Sequence, residues 1–305
     1  MTEPLVSLNG KLIPASQASL KIYDAGVVFG ATVTEMTRTF RHQPFRLADH
    51  VARLFRSLKS TRMDIGMSPE ELIVTSCELL AHNTQLIGAD DELGLIQFVT
   101  AGEYGSYVSS RDIVVRSGPT VCQHTFPLPF SLWAKRMQVG AHVVTPNIRH
   151  VPPQCYDPSM KNRSRLHYYL ADQEARLVDP QAIALLLDVE GNITETSGAN
   201  FLIVDRGTIV SPTPRNTLSG ISRATIIELA EKLGIPFVER DFQAASVMSA
   251  DEAFLTGTSI CLCPVTKING VIIGDGEPGS VYRQLITAWS DMVGVDVTGQ
   301  FFARL

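Results

Sequence analysis

Short apolar runs separated by turn residues dominate the chain, and long amphipathic helices are few. Leu5–Leu8, Asn9-Gly10 and Lys11–Pro14 predict a tight hairpin, because Asn-Gly suits a type I′ turn. Val33–Phe40 is a β-branched run that predicts a strand. Asp49 is placed to cap a helix starting near His50, with Val51, Leu54, Phe55 and Leu58 on one face. Pro69–His82, following Ser68, predicts a second helix, and Leu93–Thr100 and Ile113–Arg116 predict strands. Between Gly118 and Ser131 the pattern stops at Pro119, Pro127 and Pro129. This predicts a connection between domains. The expected division is an amino-terminal α+β domain over 1–118, a connecting loop over 119–131 and a second domain over 132–305.

Beyond the connection the pattern is strand-rich. Ala182–Val189 and Ile193–Thr196 predict one hairpin, and Asn200–Val204 with Thr208–Val210 another. Ser222–Leu233 predicts an amphipathic helix stopped by Gly234. Glu252–Leu255, Ile260–Val265 and Val271–Ile273 predict further strands, and Val281–Met292 a closing helix. Hairpins outnumber helices, which favours an α+β class over a doubly wound parallel sheet.

Composition narrows the function. The 305 residues are 45% hydrophobic and 19% charged, an ordinary globular balance. With 26 basic and 31 acidic residues the net charge is −5, which speaks against a nucleic-acid-coating surface and for a protein acting on small molecules. No signal-peptide pattern and no apolar stretch of membrane length is present, so a cytoplasmic protein without a membrane partner is expected. Five scattered cysteines fit reduced thiols.

Isolated motifs are weak. Gly274-Asp275-Gly276-Glu277-Pro278-Gly279 fits a dinucleotide fingerprint, with Asp296 at the expected distance. Only nine residues follow Asp296, and Pro278 removes an amide donor, so a plain turn is the better reading. No Gly-x-Ser-x-Gly elbow occurs. His150, Cys155 and His167, or Cys261 and Cys263, lack metal-ligand spacing, and no metal is expected.

Four segments carry more in combination. Met160-Lys161-Asn162-Arg163 opens a helical pattern after a Pro-rich loop, and Lys161 is one of only seven lysines. Thr194–Asn200 interrupts a strand run with small polar residues and Gly198. Leu218-Ser219-Gly220-Ile221-Ser222-Arg223 sits at a helix start, where amides and a hydroxyl favour an anion. Thr256-Gly257-Thr258-Ser259 is a hydroxyl-rich turn between apolar strands.

In this order, together with Leu8-Asn9-Gly10, Val27–Gly30, His50-Val51-Ala52-Arg53-Leu54 and Pro264-Val265, these segments resemble the class IV aminotransferases. These are pyridoxal-phosphate enzymes of fold type IV. The resemblance spans nearly the whole chain. It implies a smaller α+β sandwich domain, a larger barrel-like domain, pyridoxal 5′-phosphate between them and a homodimer. By the same resemblance Lys161 is the Schiff-base lysine and proton shuttle. Glu195 faces the pyridine nitrogen and keeps it protonated. Arg53, Ile221, Ser222 and Thr258 bind the phosphate. Ser259 offers its backbone to the substrate carboxylate, and Phe29, Arg38 and Tyr104 fall in segments that line the substrate pocket.

The implied reaction moves an amino group from a donor to a 2-oxo acid, with an apolar L-amino acid of the branched-chain type as the expected donor. Aminodeoxychorismate lyase-like chemistry, and transamination of D-amino acids or (R)-amines, are the alternatives within the fold. Departures bear on the substrate side. Leu166 stands where branched-chain enzymes carry a tyrosine, and Ser164 where other members have asparagine. Ser106–Val108 lacks the Arg-x-His pair of the D-amino acid enzymes, and Gly94 stands in place of a carboxylate-binding arginine.

Overall fold

The computed structural model describes residues 3–108, 113–116 and 118–304. Two compact units emerge: the chain up to Leu128 together with Met160–Arg165, and Pro129–Ser159 together with the chain from Leu166 onward.

The first unit begins with β1 (Leu5–Leu8) and β2 (Lys11–Pro14), paired so that Leu8 faces Lys11. Asn9 and Gly10 both take positive φ, 52° and 77°, as the expected turn demands. A single helical turn, α1 (Ala25–Val28), is capped by the Asp24 side chain. Then come β3 (Thr32–Phe40), β4 (Gln43–Pro44), α2 (Leu47–Thr61), α3 (Pro69–Asn83), β5 (Leu93–Thr100) and β6 (Thr120–Pro127). The six strands form one antiparallel sheet in the order β2-β1-β6-β5-β3-β4. Val33 of β3, Leu95 and Val99 of β5 and Val121 of β6 pack with Val51, Leu54 and Leu58 of α2 and with Leu72 and Leu79 of α3 in one buried cluster. Ser68 and Glu71 close a reciprocal capping box on α3.

Three expectations change here. Helix α2 starts at Leu47, because Leu47 is buried in the core; Arg46 takes the cap position and Asp49 lies inside the first turn. Residues 119–131 are not a loop: β6 pairs with β5 along its whole length, from Thr100↔Thr120 to Leu93↔Pro127. Its prolines bracket the strand and cost no interior ladder bond. Ile113–Arg116 forms no strand, and Ile113 and Val114 are exposed.

The second unit contains α4 (Phe130–Val139), β7 (Ala141–Val144), α5 (Leu166–Val178), β8 (Ile183–Leu187), β9 (Ile193–Thr196), β10 (Asn200–Asp205) and β11 (Thr208–Ser211). It continues with α6 (Ile221–Leu233), β12 (Phe237–Glu239), α7 (Ala244–Met248), β13 (Glu252–Gly257), β14 (Cys261–Ile268), β15 (Val271–Ile272), α8 (Ser280–Val293) and α9 (Val297–Phe302). The strands run in the order β12-β11-β10-β13-β14-β7-β8-β9, and β9 pairs back onto β10 at Glu195↔Asn200. That pairing closes β7, β8, β9, β10, β13 and β14 into a ring, and closure removes open sheet edges. Ala171 and Ala175 of α5 lie against Ala184 of β8 in a seam with Val144 and Leu186, where the absent side chains allow helix and sheet to approach closely. The α+β class with a barrel in the second part is therefore as expected.

The glycine-rich motif at 274–279 finds its bland explanation. β15 pairs antiparallel with β14, so no parallel crossover exists there. The amino terminus of α8 already holds an anion, since Glu252 accepts from the amides of Val281 (2.8 Å) and Tyr282 (2.9 Å).

Candidate active site

Within the second unit, three of the four expected segments converge where the barrel closes. Glu195 on β9 is buried. Its Oε2 accepts from Asn200 Nδ2 at 2.9 Å and from the Leu218 amide at 3.1 Å, and its Oε1 accepts from the Tyr168 hydroxyl at 2.9 Å. Asn200 Nδ2 also donates to the Leu218 carbonyl at 2.9 Å, tying β10 to the loop before α6. Gly220 is required by this contact: a Cβ there would stand 2.0 Å from Asn200 Oδ1. Along the same edge Thr256 pairs with Asn200 across β13 and β10, and a Cβ on Gly257 would lie 2.8 Å from the Gly198 carbonyl. The small residues that looked like weak points in strands are thus close backbone approaches.

Gly220 is the N-cap of the 13-residue α6, and no side chain caps it. Ile221 and Ser222 are the first two helical residues, so Ser222 is not the cap its type suggests. Their amides belong to the four that a helix leaves without an intrahelical acceptor. Arg223 points elsewhere, donating to Ser211 Oγ at 2.8 Å and pairing with Glu239, and so pins α6 to β11 and β12. Thr258 and Ser259 lie half-buried in the turn after β13. Ser259 also lines a cavity of about 450 Å³ with Trp133, Arg136, Gly257 and Ile260.

In the first unit, Lys161 does not open a helix. It lies in an extended stretch that runs beside β3: the Thr34 amide donates to the Lys161 carbonyl (2.9 Å), and the Arg163 amide donates to Thr32 (2.9 Å). Helix α5 begins only at Leu166. From the other side, the Lys161 amide donates to Ser57 Oγ at 3.2 Å on α2. The main chain at Lys161 is therefore held by a strand and a helix about a hundred residues earlier in the sequence.

Arg53 is 3% exposed, although it lies off the predicted apolar stripe of α2. Its guanidinium donates through Nε and Nη2 to the two oxygens of Glu35 on β3, at 2.6 and 2.8 Å. His50 Nδ1 joins Glu35 Oε2 at 2.9 Å. Burial pushes the Glu35 carboxyl up more than any other single influence. The hydrogen bonds and charges of Arg53 and His50 together outweigh it and hold the carboxyl at about 2. Burial pushes His50 down; its bond to Glu35 opposes this, and the charges of Arg53 and Lys161 add to it. The folded state thus resists protonation at both groups. Stability is expected to fall first as pH drops below 6.5, where the unfolded His50 takes up a proton, and again as pH drops from 4.5 toward 2 at Glu35. Urea unfolding across pH 3–8 checks this; a stability that stays level from pH 7 to pH 3 would contradict it.

The residues placed in substrate-pocket segments are divided. Phe29 is exposed and stands edge-on to Tyr104, with ring centroids 4.8 Å apart. Arg38 is 1% exposed, with its guanidinium 3.9 Å from the Phe40 ring centroid and Nε donating to the Thr39 carbonyl. Glu35, Tyr168 and Asn200 have no local sequence signature of a role, and His150 stands in the sequence only as an isolated histidine without metal-ligand spacing. Each acquires meaning through a partner distant in sequence, which no local pattern reports.

Comparison with known proteins identifies the family. The model of the amino-transferase class IV family matches residues 32–268. The chain is 30% identical over 288 residues to a Methanocaldococcus jannaschii protein inferred to be a branched-chain-amino-acid aminotransferase, covering 94% of this chain and 96% of that one. It is 28% identical over 296 residues to the D-alanine aminotransferase of Bacillus licheniformis, covering 94% and 96%. A branched-chain amino acid aminotransferase from T.th., solved with pyridoxamine 5′-phosphate, superposes with a TM-score of 0.84 at 26% identity, covering 96% of this chain and 95% of that one. The chain belongs to the class IV aminotransferases, with the fold of that class, and is a pyridoxal-phosphate-dependent transaminase.

Proposed function

We propose that this transaminase moves an amino group between an apolar L-amino acid of the branched-chain type and a 2-oxo acid, with pyridoxal 5′-phosphate bound covalently at Lys161. The observation that carries the reading is Glu195: a buried carboxylate with three donors on its two oxygens, at the closure of the barrel and beside the uncapped start of α6. The carboxylate suits a cationic ring nitrogen, and the amides at the start of α6 suit a phosphate. Bound cofactor supplies an electron-poor ring that accepts charge when the substrate α-carbon loses its proton.

The protein's own groups do the rest. Lys161 anchors the cofactor and, once released, carries the proton at the α-carbon. Glu195 holds a proton on the ring nitrogen. The amides of Ile221 and Ser222, the hydroxyls of Ser222 and Thr258, and Arg53 bind the phosphate. Glu35 fixes the plane of the Arg53 guanidinium. The Ser259 backbone meets the substrate carboxylate, and Phe29 and Tyr104 give the side chain an aromatic wall. Arg38 supports that region from within the sheet.

The substrate assignment rests on relatives that include both branched-chain and D-alanine aminotransferases, and on Ser106–Val108 lacking a pair of carboxylate-binding side chains. A panel of L- and D-amino acids against 2-oxoglutarate and pyruvate tests it. Leucine, isoleucine and valine are expected to turn over at least tenfold faster in the L form. A preference for D-alanine would overturn the substrate class, and pyruvate release without an acceptor would indicate lyase chemistry.

We also infer a cytoplasmic homodimer. All five cysteines are free thiols. Among the described residues no helix is long and apolar enough to cross a membrane. Helix α5 exposes Leu166, Tyr169, Leu170, Leu177 and Val178, an apolar face that a second copy would cover. Sedimentation is expected to give twice the 33.3 kDa chain mass, and Tyr169→Glu with Leu177→Glu is expected to shift it to one chain. A monomeric wild type would refute the dimer.

A further inference from the structure

The contacts behind Glu195 require one more proton than their groups carry when histidine is neutral and glutamate ionised. His150 Nδ1 lies 3.0 Å from the Val151 carbonyl oxygen, and His150 Nε2 lies 2.9 Å from the Tyr168 hydroxyl. That hydroxyl lies 2.9 Å from Glu195 Oε1. A carbonyl oxygen only accepts, so Nδ1 bears a hydrogen. An ionised carboxylate only accepts, so the single phenolic hydrogen points to Glu195. Nε2 must then donate to the phenolic oxygen, since otherwise two lone pairs would face each other at hydrogen-bond distance. Three contacts need three hydrogens; a neutral imidazole and a phenol supply two. The same positions also put His150 Nε2 3.6 Å from Glu195 Oε1, within ion-pair range. His150, Tyr168 and Glu195 are all buried residues, so the hydrogens at these contacts come chiefly from the groups themselves.

We infer that His150 carries both ring protons at neutral pH and is a positioning residue for the amino-transfer reaction, acting on Glu195 through Tyr168. This rests on the reading of Glu195 as the partner of the ring nitrogen. A carboxylate backed by a cation is a weaker base, so a proton shared with the ring stays on the nitrogen and the ring remains an electron acceptor. The surroundings suit a cation. Asp188, Glu190 and Arg215 line a small cavity of about 60 Å³ with His150. Arg215 is paired with Glu190 and Asp241 there, at 3.6 and 3.0 Å, so its charge is compensated. Arg149 precedes His150 in the chain, with one guanidinium nitrogen donating to the Pro146 carbonyl. The ring of His167 on α5 stands edge-on, with centroids 5.7 Å from His150. Asp188 itself accepts from Asn192 and Asn216.

The deciding measurement is the ¹⁵N spectrum of the histidine side chains in the cofactor-free, full-length protein at pH 7. His150 is assigned by H150Q, or by the perturbation in Tyr168→Phe if H150Q does not fold. Two protonated ring nitrogens are expected in the wild type, and a single-proton tautomer in Tyr168→Phe, which removes the acceptor. A neutral His150 in the wild type would overturn the inference. The functional readout is the pH profile of kcat. H150Q is expected to lose at least tenfold in kcat with KM for the amino donor little changed, and to alter the profile, whereas H150K restores part of it. A H150Q enzyme with the wild-type kcat and profile would remove the positioning role. If the wild type fails to bind pyridoxal phosphate at all, the reading of Glu195 falls instead, and the spectrum of the cofactor-free protein still reports the proton.

Discussion

Lys161→Ala is expected to lower transamination by at least about 10⁴-fold, because one residue supplies both covalent attachment and proton transfer. The loss should appear in kcat. The phosphate contacts assigned to Arg53, Ser222 and Thr258 do not involve Lys161, so cofactor should still bind, more weakly and without a covalent link. Borohydride reduction followed by peptide mapping checks the anchor directly: wild type should carry the cofactor mass on the peptide containing Lys161, and the variant on none. A small primary amine added to the variant should restore a little activity. Retention of a tenth or more of the wild-type rate, or a reduced adduct on another lysine, would sink the assignment. Lys161 is held by its main chain, through Thr34 and Ser57, and alanine keeps both bonds.

Glu35→Gln is expected to cost about 3–5 kcal/mol of stability, since it strands the buried Arg53 guanidinium without its counter-charge. A carboxyl held at about 2 against an ordinary 4.5 corresponds to on the order of 3 kcal/mol, in agreement. Thermal unfolding of the cofactor-free protein should move down by roughly 5–10 °C. Arg53→Met in the Glu35→Gln background should then cost less than Arg53→Met alone, because the stranded charge is gone. Strict additivity of the two substitutions would contradict the proposed coupling. A functional consequence accompanies the loss: with the guanidinium no longer fixed in plane, cofactor affinity should fall in Glu35→Gln although Glu35 is given no contact with the cofactor.

Local chemistry determined much of this protein from the sequence alone. Asn9-Gly10 fixed a hairpin by its positive φ pair, Ser68 and Glu71 fixed the start of α3, and Gly234 stopped α6 in the left-handed region. The strand Leu93–Thr100 followed from its apolar run. The ordered segments around Lys161, Glu195, Ser222 and Thr258 carried the family, its fold and its cofactor. Tertiary structure decided the rest. Pro119 and Pro127 look like breaks in a local window, yet β6 runs between them because β1 and β5 supply its partners. Lys161 reads as a helix start but is extended, since β3 and α2 offer its backbone bonds. Arg53 lies off the apolar stripe of its helix but is buried, since Glu35 neutralises it. His150, Tyr168 and Glu195 become one chain of hydrogen bonds only when the barrel closes. Turn chemistry and periodicity act over a few residues and are written locally. A buried charge or proton is stabilised by partners many residues away, and folding alone brings them together.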